Sequence, residues 1–271
     1  MASKILNGYT WRVSLISPLI LCSLALAQGQ APQAQTPSGA ALISKMFAYY
    51  ASATTMTGEI HLTQQAQSIS VSLDTSLAYE APSKIYLRQA LGGSEPRVWL
   101  ITSDGKSFTY DYPNQVRYAS SGREPGRLLE AVSPSPSIHQ TYEQIFHASV
   151  FSLGDVAVPE LLAIAGKDEL QAIKDMVATI SYMGTDKIGG DVVNVVGGAW
   201  KAGPRAAVSG QYKMFISEDG QLKRYVQTEI ISLKMSSAQM QPQQVISTWD
   251  VDLHVNAHPD ESLFKVVTTG N

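Results

Sequence analysis

From Ile69 to Tyr79 the chain reads ISVSLDTSLAY, and Ile69, Val71, Leu73, Thr75, Leu77 and Tyr79 alternate with Ser70, Ser72, Asp74, Ser76 and Ala78. A period of two sustained over that length excludes a helix, whose apolar positions recur every three or four residues. It describes a strand buried on one face and wet on the other. One wet face implies an antiparallel sheet. Related patterns recur in EIHLT, KIYLR, VWLIT, SFTYDY, QVRYA, TISYM, VVNVV, QYKMFIS, LKRYVQTEIIS and VISTWDVDLHV. Their separators are Ala81-Pro82, Gly92-Gly93, Asp104-Gly105, Pro113-Asn114, Gly189-Gly190-Asp191, Gly197-Gly198 and Asp219-Gly220. Two-residue Asp-Gly turns between alternating runs are hairpin signals. The predicted fold class is α+β, built on a large curved antiparallel sheet of about ten strands in meander order.

Two regions break the alternation. Ser38 can cap a helix through ALISKMFAYYASA, with Leu42, Met46, Tyr49 and Tyr50 on one face. Between Pro134 and Met176, SPSPSIHQTYEQIFHASV and VPELLAIAGKDELQAIKDM predict two or three helices starting at Ser137 and Pro159. An N-terminal helix plus a central helical lid suffices to cover one mouth of the sheet.

The first residues bear on the compartment. Lys4 and Arg12 precede an apolar run from Val13 to Leu26, and Ala25 to Ala27 form a small-x-small cleavage site, so residues 1–27 read as a secretory signal peptide cut after Ala27. The apolar run falls short of the roughly 20 residues of a membrane span. The expected location is periplasmic or secreted, with residues 28–37 a flexible Gln/Pro/Ala linker and residues 38–271 a single domain. Cys22 is the only cysteine, and Leu21 before it departs from the small residue that lipidation requires. Cleavage removes it, which excludes disulfides, thiolate metal sites and a cysteine nucleophile. With 20 Lys+Arg against 23 Asp+Glu, a balance that loss of Lys4 and Arg12 makes still more acidic, nothing draws the chain to nucleic acid. A monomer is expected.

Candidate chemistry is sparse. The DGKS at Asp104 to Ser107 lacks the preceding glycine of a phosphate loop, the corresponding position being Leu100 in a strand. His139, Glu143 and His147 stand at helical spacing on one predicted face and could ligate a metal, but His61, His254 and His258 cannot be placed beside them from sequence. No G-x-S-x-G elbow occurs, and His258 with Asp260 and a serine makes a triad only by selection. Glu218-Asp219 and Asp168-Glu169 fall in a turn and on a helix. No catalytic residue, cofactor or metal is assigned, and the expectation is a protein that is not an enzyme.

The positive signal is apolar. Phe108, Tyr110 and Tyr112 alternate along one strand, Trp99 sits on its hairpin partner, and Trp249, Val251, Leu253 and Val255 form a second stripe. Each could be plain core. Together, on a curved sheet only partly covered by short helices, they point to a cavity for an apolar ligand. The candidate lining is Leu73, Leu77, Trp99, Phe108, Tyr110 and Trp249, with the helices from Tyr142 to Leu170 as lid.

At this point the chain resembles a known family. FAYYASATTMTGEIHL, WLITSDGKSFTYDYPNQVRYA, FISEDGQLKRYVQTEI and WDVDLHVNAHPDESLFKV are similar to the LolA-like superfamily of outer-membrane lipoprotein carriers, most of all to its branch of predicted periplasmic proteins of unknown function. The resemblance implies an unclosed β-barrel under a helical lid that shelters the acyl chains of a lipid or lipoprotein, handed on by an envelope protein donor or acceptor. Its motifs fall on Trp99, Asp104, Gly105, Tyr110, Gln115, Leu263 and Phe264. Where that family commonly has Arg-Pro before the KIYLR strand, this chain has Ala81-Pro82. Two alternatives stand beside the carrier. One is an RseB-like envelope sensor binding a protein partner, although such proteins carry a further C-terminal domain and this chain stops at Asn271. The other is an uncharacterised hydrolase using His139, His147 or His258.

Overall fold

Twelve-residue strands at Thr55–Ala66 (β1) and Ile69–Glu80 (β2) form a hairpin, in register from Thr55 opposite Glu80 to Ala66 opposite Ile69. The chain continues in meander order through Lys84–Leu91 (β3), Arg97–Asp104 (β4), Ser107–Tyr112 (β5) and Gly126–Ala131 (β6). After the central helices come Val177–Ile188 (β7), Asp191–Trp200 (β8), Gln211–Ile216 (β9), Leu222–Ile231 (β10), a two-stranded ribbon of Lys234–Met235 (β11) and Ala238–Gln239 (β12), and Gln243–Val255 (β13). The computed structural model describes residues 37–67, 69–93, 96–113, 126–148, 158–201, 210–231, 234–235, 238–239 and 243–266. The signal peptide with Cys22, nearly all of the linker, the QVRYA strand and Gln115 lie outside the described residues.

Eleven strands join one sheet in the order β6-β5-β4-β3-β2-β1-β13-β10-β9-β8-β7, every pairing antiparallel. Two meanders spread in opposite directions, and the pairing of β1 with β13 welds them. β6 and β7 stand at the two ends of the order, so the sheet is unclosed. At the weld Gly58, φ +149°, brings β1 so near β13 that a Cβ would lie 2.0 Å from the Asp252 carbonyl oxygen; only glycine fits.

The turns refine the sequence reading. Gly189 and Gly190, φ +60° and +98°, form the two-residue connection of β7 and β8, as hairpin chemistry requires. At the β4–β5 turn the central residues are Gly105 and Lys106, because Ser103 pairs with Phe108; Asp104 is a strand residue whose carboxylate accepts the N–H groups of Lys106 and Ser107 at 2.8 and 2.9 Å. The Asp219-Gly220 connection is longer than two residues, since Ile216 pairs with Leu222. Strand β6, GRLLEA, was not foreseen: two adjacent leucines beside a glutamate carry no alternation, and pairing with β5 decides its conformation.

Helix α1, Gly39–Ala51, starts where Ser38 accepts the Ala41 N–H at 3.1 Å. Its buried face is wider than predicted: Leu42, Ile43, Met46, Phe47 and Tyr50 are buried, while Tyr49 is only half-buried. The central helices are Ile138–Thr141 (α2), Glu143–Ala148 (α3), Val158–Ile164 (α4) and Lys167–Asp175 (α5). The expected continuous helix from Ser137 is broken at Tyr142, φ −116° and ψ 20°. There the ring packs edge-on against Phe108 at 5.5 Å, and the hydroxyl donates to the Ser83 carbonyl at 2.5 Å. Burial of that ring outweighs the lost helical regularity.

Candidate functional site

The register places the six predicted lining residues on one face. Leu77, Leu87, Ile101 and Tyr110 are successive cross-strand partners from β2 to β5, and Phe108 lies one step further toward the helices, opposite Ser103. Leu73 faces Leu62, which faces Trp249, which faces Tyr225 across β2, β1, β13 and β10. Between these rows runs Ile60, Thr75, Gln89 and Trp99. Leu77, Phe108, Tyr110 and Trp249 belong to the main core beneath the helices, whereas Leu73 packs with Leu91 in a small separate cluster. Trp99 and Leu62, both half-buried, touch the two clusters and bridge them.

Along β2 the inner stripe opens progressively. Tyr79, Leu77 and Leu73 are buried, Val71 is 36% exposed and Ile69 is 65% exposed at the hairpin tip. The helices account for the difference. Helix α4 packs on β1, β10 and β13, α1 on β7 and β8, and α5 on β7, while Tyr142 reaches Phe108 and Ser83 at the covered end. Burial pushes the Tyr110 hydroxyl up to about 12 and that of Tyr79 still higher.

Toward the tip the inner face becomes polar and internally bonded. The indole N–H of Trp200 donates to the Tyr225 hydroxyl at 2.7 Å, which donates to Gln227 Oε1 at 2.7 Å, and Gln227 Nε2 donates to Glu229. Gln64 donates to Ser247 at 3.1 Å and Gln89 to Thr75 at 3.3 Å. Three buried polar atoms have no hydrogen-bond partner among the described residues: Gln89 Oε1, Glu160 Oε2 and Trp249 Nε1. Glu160 is 3% exposed in α4, and its burial, only partly countered by backbone and the Trp249 indole, pushes its carboxyl up to about 7. The sequence reading missed it. The available signal was a lone carboxylate inside the apolar run VPELLAI.

The histidine candidates do not converge. His139 Nδ1 lies 2.7 Å from Glu169 Oε1, while Glu169 Oε2 accepts the Gly166 N–H at 2.6 Å and the Ser137 hydroxyl at 2.7 Å. Burial opposes ionisation of Glu169, but these bonds outweigh it and hold its carboxyl below the usual range. Ser137, His139 and Glu169 thus fasten α2 to α5, with the His139 ring stacked on Phe146 at 5.9 Å. The break at Tyr142 ends the single helical face on which His139, Glu143 and His147 were placed together, and the His147 side chain lies outside the described residues. On the outer face His61 pairs with Asp74 at 2.5 Å and exposed His254 with Asp252 at 3.4 Å. His258 is exposed, and Asp260 caps the final turn by accepting the Ser262 N–H at 2.8 Å. Among the described residues, no cluster of three or more His, Cys, Asp or Glu could hold a metal, and no helix is long and apolar enough to cross a membrane.

No protein-family model matches the chain, and no curated protein matches its sequence. Solved structures do. A chain of the Pseudomonas aeruginosa MucA/MucB complex is 9% identical over 84% of this chain, at a TM-score of 0.39; this chain spans 61% of that one. The Mycobacterium tuberculosis lipoprotein LppX is 12% identical, with 80% of this chain and 97% of that chain covered, at a TM-score of 0.38. A LolA superfamily protein from Nitrosomonas europaea is 12% identical, with 85% and 99% covered, at a TM-score of 0.28. The structures similar to this chain thus include a LolA superfamily member, a lipoprotein and a component of the MucA/MucB complex.

Proposed function

We propose that this is an exported, non-enzymatic binding protein that shelters an acyl chain, of a lipid or of a lipoprotein, on the inner face of its sheet. The supporting observation is the stripe of β2, whose inner positions stay apolar from the buried Leu77 and Leu73 to the open Val71 and Ile69, interrupted only by Thr75. Exposing valine and isoleucine at the end of a buried apolar track gains nothing for folding, but it gives hydrocarbon a path inward. Each methylene buried there contributes about 0.8 kcal/mol, so length alone supplies affinity. Leu73, Leu77, Trp99, Phe108, Tyr110 and Trp249 line the track, and the central helices form a lid that yields as cargo enters. The leader read in residues 1–27 supports export of the mature chain to the periplasm or outside the cell, where an envelope donor or acceptor exchanges its cargo.

Native mass spectrometry of the mature protein from its own envelope, followed by extraction with organic solvent, tests the proposal. A co-purifying acylated molecule, lost in a Leu73→Glu variant that keeps its melting transition, is the expected result. A bare protein mass that takes up no added phospholipid or acylated peptide overturns it.

A further inference from the structure

Two of the unpartnered atoms face each other. Glu160 stands in an apolar stretch of α4, with Val158 and Leu162 fully buried beside it. Trp249 lies across from it on β13; the indole N–H is near enough to favour the ionised carboxyl, yet neither that N–H nor Glu160 Oε2 forms a hydrogen bond among the described residues. No cation among those residues offsets the burial of this carboxyl. Leaving a buried donor or acceptor unsatisfied costs roughly 1–3 kcal/mol. Two such atoms at one point, between a lid helix and the sheet, mark a place where a third group completes the bonding.

The surroundings define that group. Trp249 is the cross-strand neighbour of Leu62, itself the neighbour of Leu73, so its indole stands beside the apolar stripe leading in from the hairpin tip. An indole N–H only donates, and a carboxyl whose ionisation is opposed by its apolar surroundings donates, in its protonated form, through its O–H. An anionic guest would need a cation to balance it, and the described residues provide none here. A carbonyl oxygen, uncharged and with two lone pairs, accepts both bonds. We infer that Glu160 and Trp249 together bind the carbonyl at the head of an acyl chain, an ester or an amide, while the hydrocarbon lies along Leu62 and Leu73. The inference rests on the acyl-chain reading and sharpens it from hydrocarbon in general to acyl groups in particular.

The test compares two fluorescent probes of equal length on the mature protein: a pyrene-labelled alkane and the corresponding pyrene-labelled fatty-acid methyl ester. The wild type binds both, the ester more tightly. Trp249→Phe, which keeps a ring but removes the N–H, weakens the ester about fivefold to tenfold more than it weakens the alkane. Glu160→Leu behaves in the same way, whereas Glu160→Gln, which retains a donor, restores ester binding. Equal losses for the two probes, or an unchanged ester affinity, overturn the carbonyl site while leaving the acyl-chain reading intact. Failure of the wild type to bind either probe overturns that reading as well. Should a variant fail to fold, the infrared stretch of an isotope-labelled ester carbonyl decides the matter in the wild type. It moves to lower frequency than in hydrocarbon solvent if the two bonds form, and an unshifted band overturns the site.

Discussion

Beneath the helices, Met56, Ile85 and Leu253 are completely buried on the inner face of the sheet. Further along β1 and β13, and on β10 beside them, the inner positions hold Gln64 bonded to Ser247 and Gln227 bonded to Glu229, with Val71 and Ile69 open on β2. One face of one sheet is therefore built in two ways. The covered end takes its order from close packing, which tolerates little loss of volume. The open end is held by strand pairing and side-chain bonds, so its apolar groups are free to serve something other than folding.

The sharpest way to break this comparison is to remove volume at each end. Ile85→Ala at the covered end costs about 2–5 kcal/mol of stability, read from the urea midpoint. A cost below that of an exposed site would show that the helices pack loosely there. Next in size is the pH response of Glu160. Its folded pKa of about 7 lies above its ordinary value of 4.5, so the folded state holds the proton more tightly than the unfolded one. Stability is then highest below 4.5 and falls as pH rises to 7, by about 3 kcal/mol in all, the slope being set by the extra proton on the native state. Glu160→Gln flattens that part of the profile; an unchanged profile would place the dependence elsewhere.

A smaller effect is expected at the seam between helices and sheet. Tyr142→Phe keeps the ring on Phe108 but removes the hydroxyl bond to the Ser83 carbonyl, a loss of about 1 kcal/mol together with faster hydrogen exchange in α2 and α3. Smallest for stability is Val71→Ser at the tip, within about 0.5 kcal/mol of wild type, although uptake of an acyl probe falls. If Val71→Ser destabilises as much as Ile85→Ala, the two ends are one core and the contrast fails.

The sheet was legible because alternation has a physical cause that acts within a single strand. Ile69 to Tyr79 could only form a strand with one wet face, and Ser38 could be read as a cap because its hydroxyl serves the backbone three residues on. Features that depend on a partner strand or helix were not legible. β6 carries no alternation and is a strand because β5 pairs with it, and Tyr142 interrupts a good helical sequence because Phe108 and Ser83 wait beneath it. The six lining candidates share a face as their periods dictated, but the division among them follows from where helices rest. Leu73 and Leu77 are two residues apart on one stripe and belong to different clusters.

The sequence by itself determined the class of fold, the inner and outer faces of the strands, the capped first helix and the position of the helical insertion. All of these follow from periodicity and local hydrogen bonding. Only the tertiary structure decided that the first and last strands meet in the middle of the sheet, that the helices cover one end and leave the other open, and that a carboxyl from α4 confronts an indole from β13. Those outcomes depend on contacts between residues up to some 200 positions apart, such as the Thr54 N–H bond to Asn256, and no local pattern encodes which distant surface will desolvate a given side chain.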